Sequence, residues 1–241
     1  MPSLSVVVPL FNEAENVPIL QAEIETALAG HDYELIFVDD ASTDGTVAAV
    51  RVDGPTAGRP DKHEVRLLRF VKNEGQSAAM LAGIASARGA CIVMLDGDLQ
   101  NDPADIPRLI EEIDRGADLV CGYRARRADT LSKKITSRVA NYVRSRFVGD
   151  GIRDTGCTLK AMRRECATAL VPFKGVHRFI PALVKNAGYK LVEIPVNHRA
   201  RQFGVSKYGL GNRALKATMD MFGVRWLQSR RVGYQLRDPD A

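Results

Sequence analysis

The segment Val93-Met94-Leu95-Asp96-Gly97-Asp98-Leu99-Gln100 carries the residues best suited to chemistry. An apolar stretch leads into two aspartates that are separated by one glycine. In an extended backbone, residues two apart point to the same side, so Asp96 and Asp98 can face one spot beyond a strand. Nearby carboxylates repel each other, and a hard divalent cation such as Mg²⁺ relieves that repulsion while binding phosphate oxygens. The pattern therefore indicates a site for a metal-bound phosphorylated ligand.

Asp-Gly-Asp is also typical of a tight turn, because aspartate tolerates turn conformations and glycine reaches positive φ. Other polar motifs help to choose between the two interpretations. Asn12-Glu13 follow the first predicted strand, and Asp39-Asp40 follow the second. The carboxyl ends of parallel strands form one sheet edge, where open α/β sheets bind their ligands. Three acidic motifs at one edge favour the metal interpretation.

Strand and helix patterns alternate along the chain and predict an α/β fold with a doubly wound, mostly parallel sheet. The predicted strands are Ser5–Leu10, Glu34–Val38, Val65–Phe70, Ala90–Leu95 and Leu119–Gly122. The predicted helices cover Asn16–Ala29, Ser42–Arg51, Gly75–Ala87 and Pro103–Arg115. No GxGxxG or GxxxxGK[ST] phosphate loop is present, which argues against a dinucleotide dehydrogenase and a P-loop NTPase.

The chain has 241 residues, of which 45% are hydrophobic, and this suits one large folded domain. No apolar run reaches the roughly 18 to 20 residues that span a bilayer, and the first residues do not resemble a signal peptide. Four cysteines without CxxC spacing predict free thiols in a reducing compartment. We therefore expect a cytoplasmic protein without a transmembrane helix.

The net charge of +5 is concentrated in two segments, residues 124–147 and 199–231, which each carry eight basic residues and one acidic residue. Such segments indicate an anionic partner, namely phosphates, a lipid surface or nucleic acid. Apolar residues recur in both at helical spacing, as in a membrane-surface helix, although a solvated or core-packed helix remains an alternative. These residues are Leu131, Ile135, Val139, Tyr142 and Val143, and then Leu215, Met219, Phe222 and Trp226.

In combination, the motifs of this sequence resemble those of family 2 glycosyltransferases with the GT-A fold. Within that family the sequence is similar to the polyprenyl-phosphate branch, which includes dolichol-phosphate mannose synthases and undecaprenyl-phosphate sugar transferases. The resemblance covers about Ser3 to Leu227. Its motifs are Val8–Glu13, Val38–Thr46, Asp96–Pro103, Arg153–Lys160, His177–Pro181 and Gly204–Gly209.

The resemblance implies a GDP- or UDP-linked sugar donor, Mg²⁺ or Mn²⁺, and a polyprenyl phosphate acceptor. Base and ribose would be bound by Pro9, Phe11, Glu13, Val38 and Asp40. Metal and diphosphate would be held by Asp96, Asp98 and Gln100. Donor and acceptor phosphates would meet Arg124, Ser137, Arg138, Arg201, Ser206 and Lys207. Asp154 matches an acceptor-side catalytic aspartate, although its place before a Thr-Gly-Cys turn also suits a capping role.

The resulting hypothesis is a single GT-A domain over residues 1–228, followed by a tail at 229–241. The donor-binding half would cover about 1–122, and the acceptor and membrane-facing half about 123–228. It would catalyse inverting, metal-dependent sugar transfer at an anionic membrane surface on the cytoplasmic face. Many members of the branch continue into transmembrane helices, whereas this sequence ends at Ala241. We expect peripheral association.

Four alternatives remain open. The acceptor could be a molecule other than a lipid, or the domain could be an inactive scaffold. A sugar-nucleotide nucleotidyltransferase usually carries a glycine-rich basic loop near its N-terminus, which Pro9–Glu13 is not. A nucleic-acid-binding module should interleave aromatic and basic residues on a strand platform, and few such pairs occur here. We expect no nucleic acid partner.

Overall fold

The computed structural model describes residues 2–52, 63–125, 144–203 and 211–232, and within the last range side chains from residue 218 onward. The strands are β1 (Leu4–Leu10), β2 (Tyr33–Asp39), β3 (His63–Arg69), β4 (Cys91–Met94), β5 (Leu119–Arg124), β6 (Lys160–Arg163) and β7 (Leu191–Val196). The α-helices are α1 (Val17–Ala27), α2 (Thr46–Ala49), α3 (Gln76–Ser86), α4 (Ile106–Asp114), α5 (Ile180–Asn186) and α6 (Gly211–Ser229), and residues 144–148 are also helical. Three 3₁₀ turns cover Pro103–Asp105, Arg164–Ala169 and Val176–Arg178.

The strands form one sheet in the order β3-β2-β1-β4-β6-β5-β7. Every neighbouring pair is parallel except those of β6, which runs antiparallel between β4 and β5. The α/β prediction of a mostly parallel sheet is therefore confirmed, and all five predicted strands are present. β6 and β7 were not predicted from the sequence.

The two missed strands have patterns that do not resemble buried strands. β6 is only four residues long and begins with Lys160, whose side chain is nevertheless buried. β7 contains Glu193 and Pro195, and both residues are unfavourable in strands. The neighbouring strands stabilise both segments, and propensity alone does not reveal this context.

The sheet is covered on both faces because alternate residues of its buried strands point to opposite sides. Val6 and Val8 of β1 belong to the core that α1 and α4 cover, whereas Val7 belongs to the core beneath α3 and α5. α3 lies especially close to the sheet. A Cβ atom at Gly83 would overlap the side chain of Val7. This close contact brings the first residue of α3 to the carboxyl edge of the sheet.

At the opposite edge of the sheet, Glu34 is fully buried on β2. Its carboxylate accepts hydrogen bonds from the Ser5 hydroxyl at 2.7 Å, the Arg88 backbone N–H at 2.6 Å and the Arg66 guanidinium at 2.7 Å. Burial by itself would raise the pKa of Glu34, but these donors hold it below the ordinary value of 4.5. The network therefore joins three strands through one satisfied buried charge.

We expect Glu34→Ala to lower the free energy of unfolding by about 3 kcal/mol, because the change leaves its buried donors without a partner. Urea unfolding at pH 7 measures this loss. The loss should shrink as the pH falls below 4.5, because a carboxyl with a lowered folded-state pKa stabilises the fold only while it is ionised. Glu64→Ala is the matched control, since Glu64 is partly exposed and contacts the same Arg88. The control change should lower the free energy of unfolding by less than about 1 kcal/mol. Equal losses of stability in both variants would contradict the expectation.

Candidate active site

A cavity of about 320 Å³ opens at the carboxyl edge of the sheet, beyond β1, β2, β3 and β4. It brings together the end of β1, the start of α3, residues from the loops after β1 to β4, and one residue that follows β7. The lining residues are Pro9, Leu10, Phe11, Glu13, Asp40, Asn73, Gly75, Gln76, Ala79, Asp96, Gly97, Asp98 and Arg201. The predicted convergence of the acidic motifs at one edge is therefore realised in the fold.

Among the residues that the structure describes, three other than glycine adopt left-handed backbone conformations, and each follows a strand at this edge. They are Asn12, Ala41 and Leu99, with φ values of 54°, 58° and 59°. Such conformations are uncommon without glycine and persist only where surrounding contacts enforce them. The Asn12 N–H donates to the Ser42 hydroxyl at 2.9 Å, and its side chain accepts from the Thr43 N–H at 2.8 Å. The loops after β1 and β2 are thus locked together.

The two central carboxylates have different partners. Asp96 accepts a hydrogen bond from the Gln76 side chain at 2.6 Å, and Asp98 accepts from the Arg201 guanidinium at 2.6 Å. Asp98 also accepts from the backbone N–H of Gln100 at 3.2 Å. Burial, together with the charge of Asp98, raises the pKa of Asp96 to about 6. The Asp96 carboxylate is therefore destabilised, and a cation beside it would favour its ionised form.

Asp40 organises the loop between β3 and α3. Its two carboxylate oxygens accept from the backbone N–H groups of Glu74, at 2.7 Å, and Gly75, at 2.9 Å. Burial nevertheless raises the pKa of Asp40, as do the charges of Asp39 and Glu74. Gly75 has a φ of 91°, which favours glycine at this turn.

The cavity residues Asn73 and Gly75 of this loop, and Gln76 at the start of α3, were not predicted from the sequence. A signal was available, because Asn73 and Gly75 closely follow a predicted strand at the same sheet edge. The contact of Gln76 with Asp96 could not be read from the sequence, since the two residues meet only through the packing of α3 on β1 and β2.

The residues of the cavity suit a hard divalent cation. Within the described ranges, no group of three or more histidine, cysteine, aspartate or glutamate side chains could hold a metal ion. Two carboxylates are nevertheless a suitable protein contribution for Mg²⁺ or Mn²⁺, because such ions take further oxygens from water and substrate phosphates. The Arg201 guanidinium at Asp98 shows that positive charge is accommodated beside this pair. The assignment of Asp96 and Asp98 as metal ligands stays a prediction.

Several predicted site residues lie elsewhere. Val38 is fully buried in the core beneath α3, and Gln100 is not part of the cavity lining. Arg124, the last residue of β5, pairs with Asp154 at N–O distances of 2.6 and 2.7 Å, and neither residue lines the cavity. Ser137, Arg138, Ser206 and Lys207 lie outside the described residues.

Asp154 has the capping role that its sequence position suggested, since it accepts from the Gly156 N–H at 3.1 Å. It also accepts from the backbone N–H of Arg124 at 3.2 Å. These contacts make Asp154 the residue that orients Arg124. A direct catalytic role for either residue stays a prediction.

Similarity to solved structures places this architecture among GT-A-like glycosyltransferase folds. A crystal structure of glucosyl-3-phosphoglycerate synthase from Mycobacterium tuberculosis, in complex with Mn²⁺, uridine diphosphate and phosphoglyceric acid, matches with a TM-score of 0.67. The match covers 96% of this chain and 80% of that one at 18% identity. A second structure, described as that of a mycobacterial protein, matches with a TM-score of 0.68 at 21% identity, over 92% of this chain and 75% of that one.

The chain belongs to glycosyl transferase family 2, whose sequence profile matches residues 5–170. Dodecaprenyl-phosphate galacturonate synthase from Rhizobium johnstonii is 41% identical over 227 residues, which is 92% of this chain and 66% of the relative. Undecaprenyl-phosphate 4-deoxy-4-formamido-L-arabinose transferase from Pectobacterium carotovorum is 39% identical over 211 residues, which is 86% of this chain and 62% of the relative. The chain thus spans a little under two thirds of the length of these relatives. The predicted family is confirmed.

We expect Asp96→Asn to stabilise the metal-free protein at pH 7.5 by on the order of 2 kcal/mol. Because the folded-state pKa of Asp96 is raised from 3.8 to about 6, its favourable contribution to folding is present below 3.8 and is lost as the pH rises through about 6. The advantage of the asparagine variant should therefore be small near pH 4 and grow toward pH 7. Urea unfolding with a chelator present measures the difference.

Asp98→Asn is the matched control for this experiment. It removes the charge that repels Asp96 but also the ion pair with Arg201, so its gain should be smaller than that of Asp96→Asn. An Asp96→Asn variant that is less stable than wild type at pH 7.5 would contradict the burial argument.

Proposed function

We propose that this protein transfers a sugar, with inversion, from a nucleoside diphosphate donor to a polyprenyl phosphate. The observation that carries the proposal is the cavity in which Asp96, Asp98 and Arg201 meet Glu13 and Asp40 at the carboxyl edge of the sheet. The relatives named above act on dodecaprenyl or undecaprenyl phosphate, as their names state. Their likeness to this chain supports the lipid acceptor.

On the donor side, the chain would use its edge loops to hold base, ribose and diphosphate. Phe11 supplies an apolar ring in the cavity, and Glu13 and Asp40 supply acceptors for sugar hydroxyls or base N–H groups. Mg²⁺ or Mn²⁺, when bound at Asp96 and Asp98, supplies Lewis-acid stabilisation of negative charge on the diphosphate. A solved relative in fold binds Mn²⁺ and uridine diphosphate, which supports this assignment.

In the proposed reaction, the bond between the anomeric carbon and the diphosphate oxygen breaks. A bond between that carbon and an acceptor phosphate oxygen forms on the opposite face of the sugar. Arg201 lies beside Asp98 and would add preorganised positive charge where the leaving diphosphate develops negative charge. Gln76 holds the Asp96 carboxylate in orientation.

The acceptor would need no strong general base. A phosphate monoester has a second pKa of about 6 and is largely dianionic at neutral pH. The main difficulty is to bring two anions together, and the basic segments at 124–147 and 199–231 suit that task. Arg124, held by Asp154, would face the acceptor side, in the half that begins near residue 123.

The described part of α6 presents a basic and apolar surface. Met219, Phe222 and Trp226 are 66%, 58% and 61% exposed, while Val224 is buried on the opposite side of the helix. Arg225 and Arg230 are exposed nearby. No helix in the described ranges is sufficiently long and apolar to cross a bilayer. We infer that this face of α6 rests on an anionic membrane at its cytoplasmic side, where the acceptor is embedded.

The catalytic proposal is tested by incubating the full chain with a panel of UDP- and GDP-sugars, Mn²⁺ and a polyprenyl phosphate. We expect one donor to yield a lipid-linked sugar, and Asp98→Asn to reduce the rate by about 100-fold or more because charge stabilisation in the transition state is lost. Asp114→Asn is the control, since Asp114 is an exposed aspartate at the end of α4.

A parallel reaction replaces the lipid with a small phosphorylated acceptor such as phosphoglyceric acid. Transfer to this acceptor and not to the lipid would establish the non-lipid alternative. Absence of product from every donor with either acceptor would contradict the proposal as a whole.

The membrane proposal predicts that a Phe222→Ser/Trp226→Ser variant binds anionic vesicles at least about tenfold more weakly than wild type, because two exposed aromatic contacts with the bilayer are lost. Vesicle co-sedimentation measures the affinity. Val71→Ser is the control, because Val71 is a fully exposed apolar residue outside α6. Equal binding of wild type to neutral and anionic vesicles, or no binding to either, would count against the membrane surface.

A further inference from the structure

Residues 197–201 follow β7 and run beside the segment that contains Asp98. The Asn197 N–H donates to the Asp105 carboxylate at 2.6 Å, and the Arg199 N–H donates to the Gln100 carbonyl at 2.9 Å. Between these contacts, His198 forms an isolated antiparallel bridge with Asn101. The backbone after β7 is therefore held against the loop that carries the two central aspartates.

The Arg199 side chain extends this connection to α1. One guanidinium nitrogen contacts both carboxylate oxygens of Glu23, at 2.7 and 2.8 Å, and the other contacts Asp102 at 2.7 Å. Asp102 in turn accepts from the Ala104 N–H at 3.1 Å and so caps the 3₁₀ turn before α4. Charge-assisted contacts of this geometry are among the stronger polar interactions in proteins. Arg199 thus joins three elements at one point.

Arg199 and Arg201 face different spaces. Arg201 lines the cavity that contains Asp96 and Asp98, whereas Arg199 lines a separate depression on the α1 side, together with Ile19 and Glu23. Arg199 is therefore outside the space in which the nucleotide would bind. Its side chain is 32% exposed, so the contacts with two carboxylates are only partly screened by solvent.

We propose that Arg199 is a positioning residue for Arg201. By fixing the backbone two residues earlier, its contacts with Glu23 and Asp102 place the Arg201 guanidinium against Asp98 and beside the donor diphosphate. A long arginine side chain loses rotamer entropy when it is ordered, and an anchored backbone lowers the number of conformations that Arg201 must still search. This role rests on the proposed function for the identity of the ligand, but its effect on the pair of Arg201 and Asp98 is independent of any ligand.

The test compares wild type, Arg199→Ala, Arg201→Ala and the double variant. The affinity of each for UDP or GDP in the presence of Mn²⁺ is measured by titration calorimetry. We expect each single change to weaken nucleotide binding about tenfold, and the double variant to be no weaker than the weaker single variant. Fully additive losses would show that Arg199 acts independently of Arg201 and would overturn the proposal.

Arg51→Ala is the matched control, because Arg51 also pairs with a glutamate of α1, Glu25, at 3.2 Å. It should leave nucleotide affinity unchanged. If Arg199→Ala does not fold, Glu23→Gln and Glu25→Gln replace it and its control, and only Glu23→Gln should weaken binding. Equal effects of the two glutamine variants would overturn the proposal.

A ligand-free readout separates this inference from the function itself. Urea unfolding of the same four proteins should show that the Arg201→Ala change costs less stability when Arg199 is already alanine. If wild type binds neither nucleotide, the proposed function fails while this coupling still tests the positioning role. If wild type binds and the coupling is absent in both measurements, only the positioning role fails.

Discussion

The repulsion between Asp96 and Asp98 is the interaction on which the candidate site depends. The end of β4 places both carboxylates at one edge of the sheet, where burial and the charge of Asp98 disfavour the ionised form of Asp96. The surrounding groups compensate for this cost only in part. Gln76 donates to Asp96 and Arg201 donates to Asp98, while water and a negatively charged substrate would complete the shell of any bound cation. A site of this kind is stable enough to form and still favours a positively charged ligand.

The pKa values of carboxyl groups shift in opposite directions at the two edges of the sheet. At the amino edge, Glu34 is surrounded by donors that lower its pKa, and it contributes to stability. At the carboxyl edge, burial raises the pKa values of Asp40 and Asp96. The left-handed conformations of Asn12, Ala41 and Leu99 add backbone strain at that edge. The amino edge of the sheet thus contributes to stability, whereas the carboxyl edge carries the candidate site.

Much of this architecture could be predicted because its signals are local. The apolar runs of β1, β2 and β4, the alternating helices and the acidic motifs after the strands can all be recognised without a structure, and together they indicate both the sheet edge and the family. β6 was missed because the buried Lys160 contradicts the usual pattern of a central strand. The contact of Gln76 with Asp96 was missed because it depends on close packing at Gly83, which contacts Val7 on another element.

Local sequence patterns were therefore sufficient for the class of fold, the family and the identity of the central aspartates. Only the tertiary structure shows which groups act on those aspartates. Gln76, Arg201 and Arg199 lie 20, 103 and 97 positions from the acidic residues that they contact, Asp96, Asp98 and Asp102. Sequence spacing does not predict contacts between residues so far apart in the chain, because these contacts are made by the packing of helices and by the antiparallel bridge after β7. Short-range periodicity predicts the helices and strands, whereas the electrostatics of the site depend on how those elements pack together.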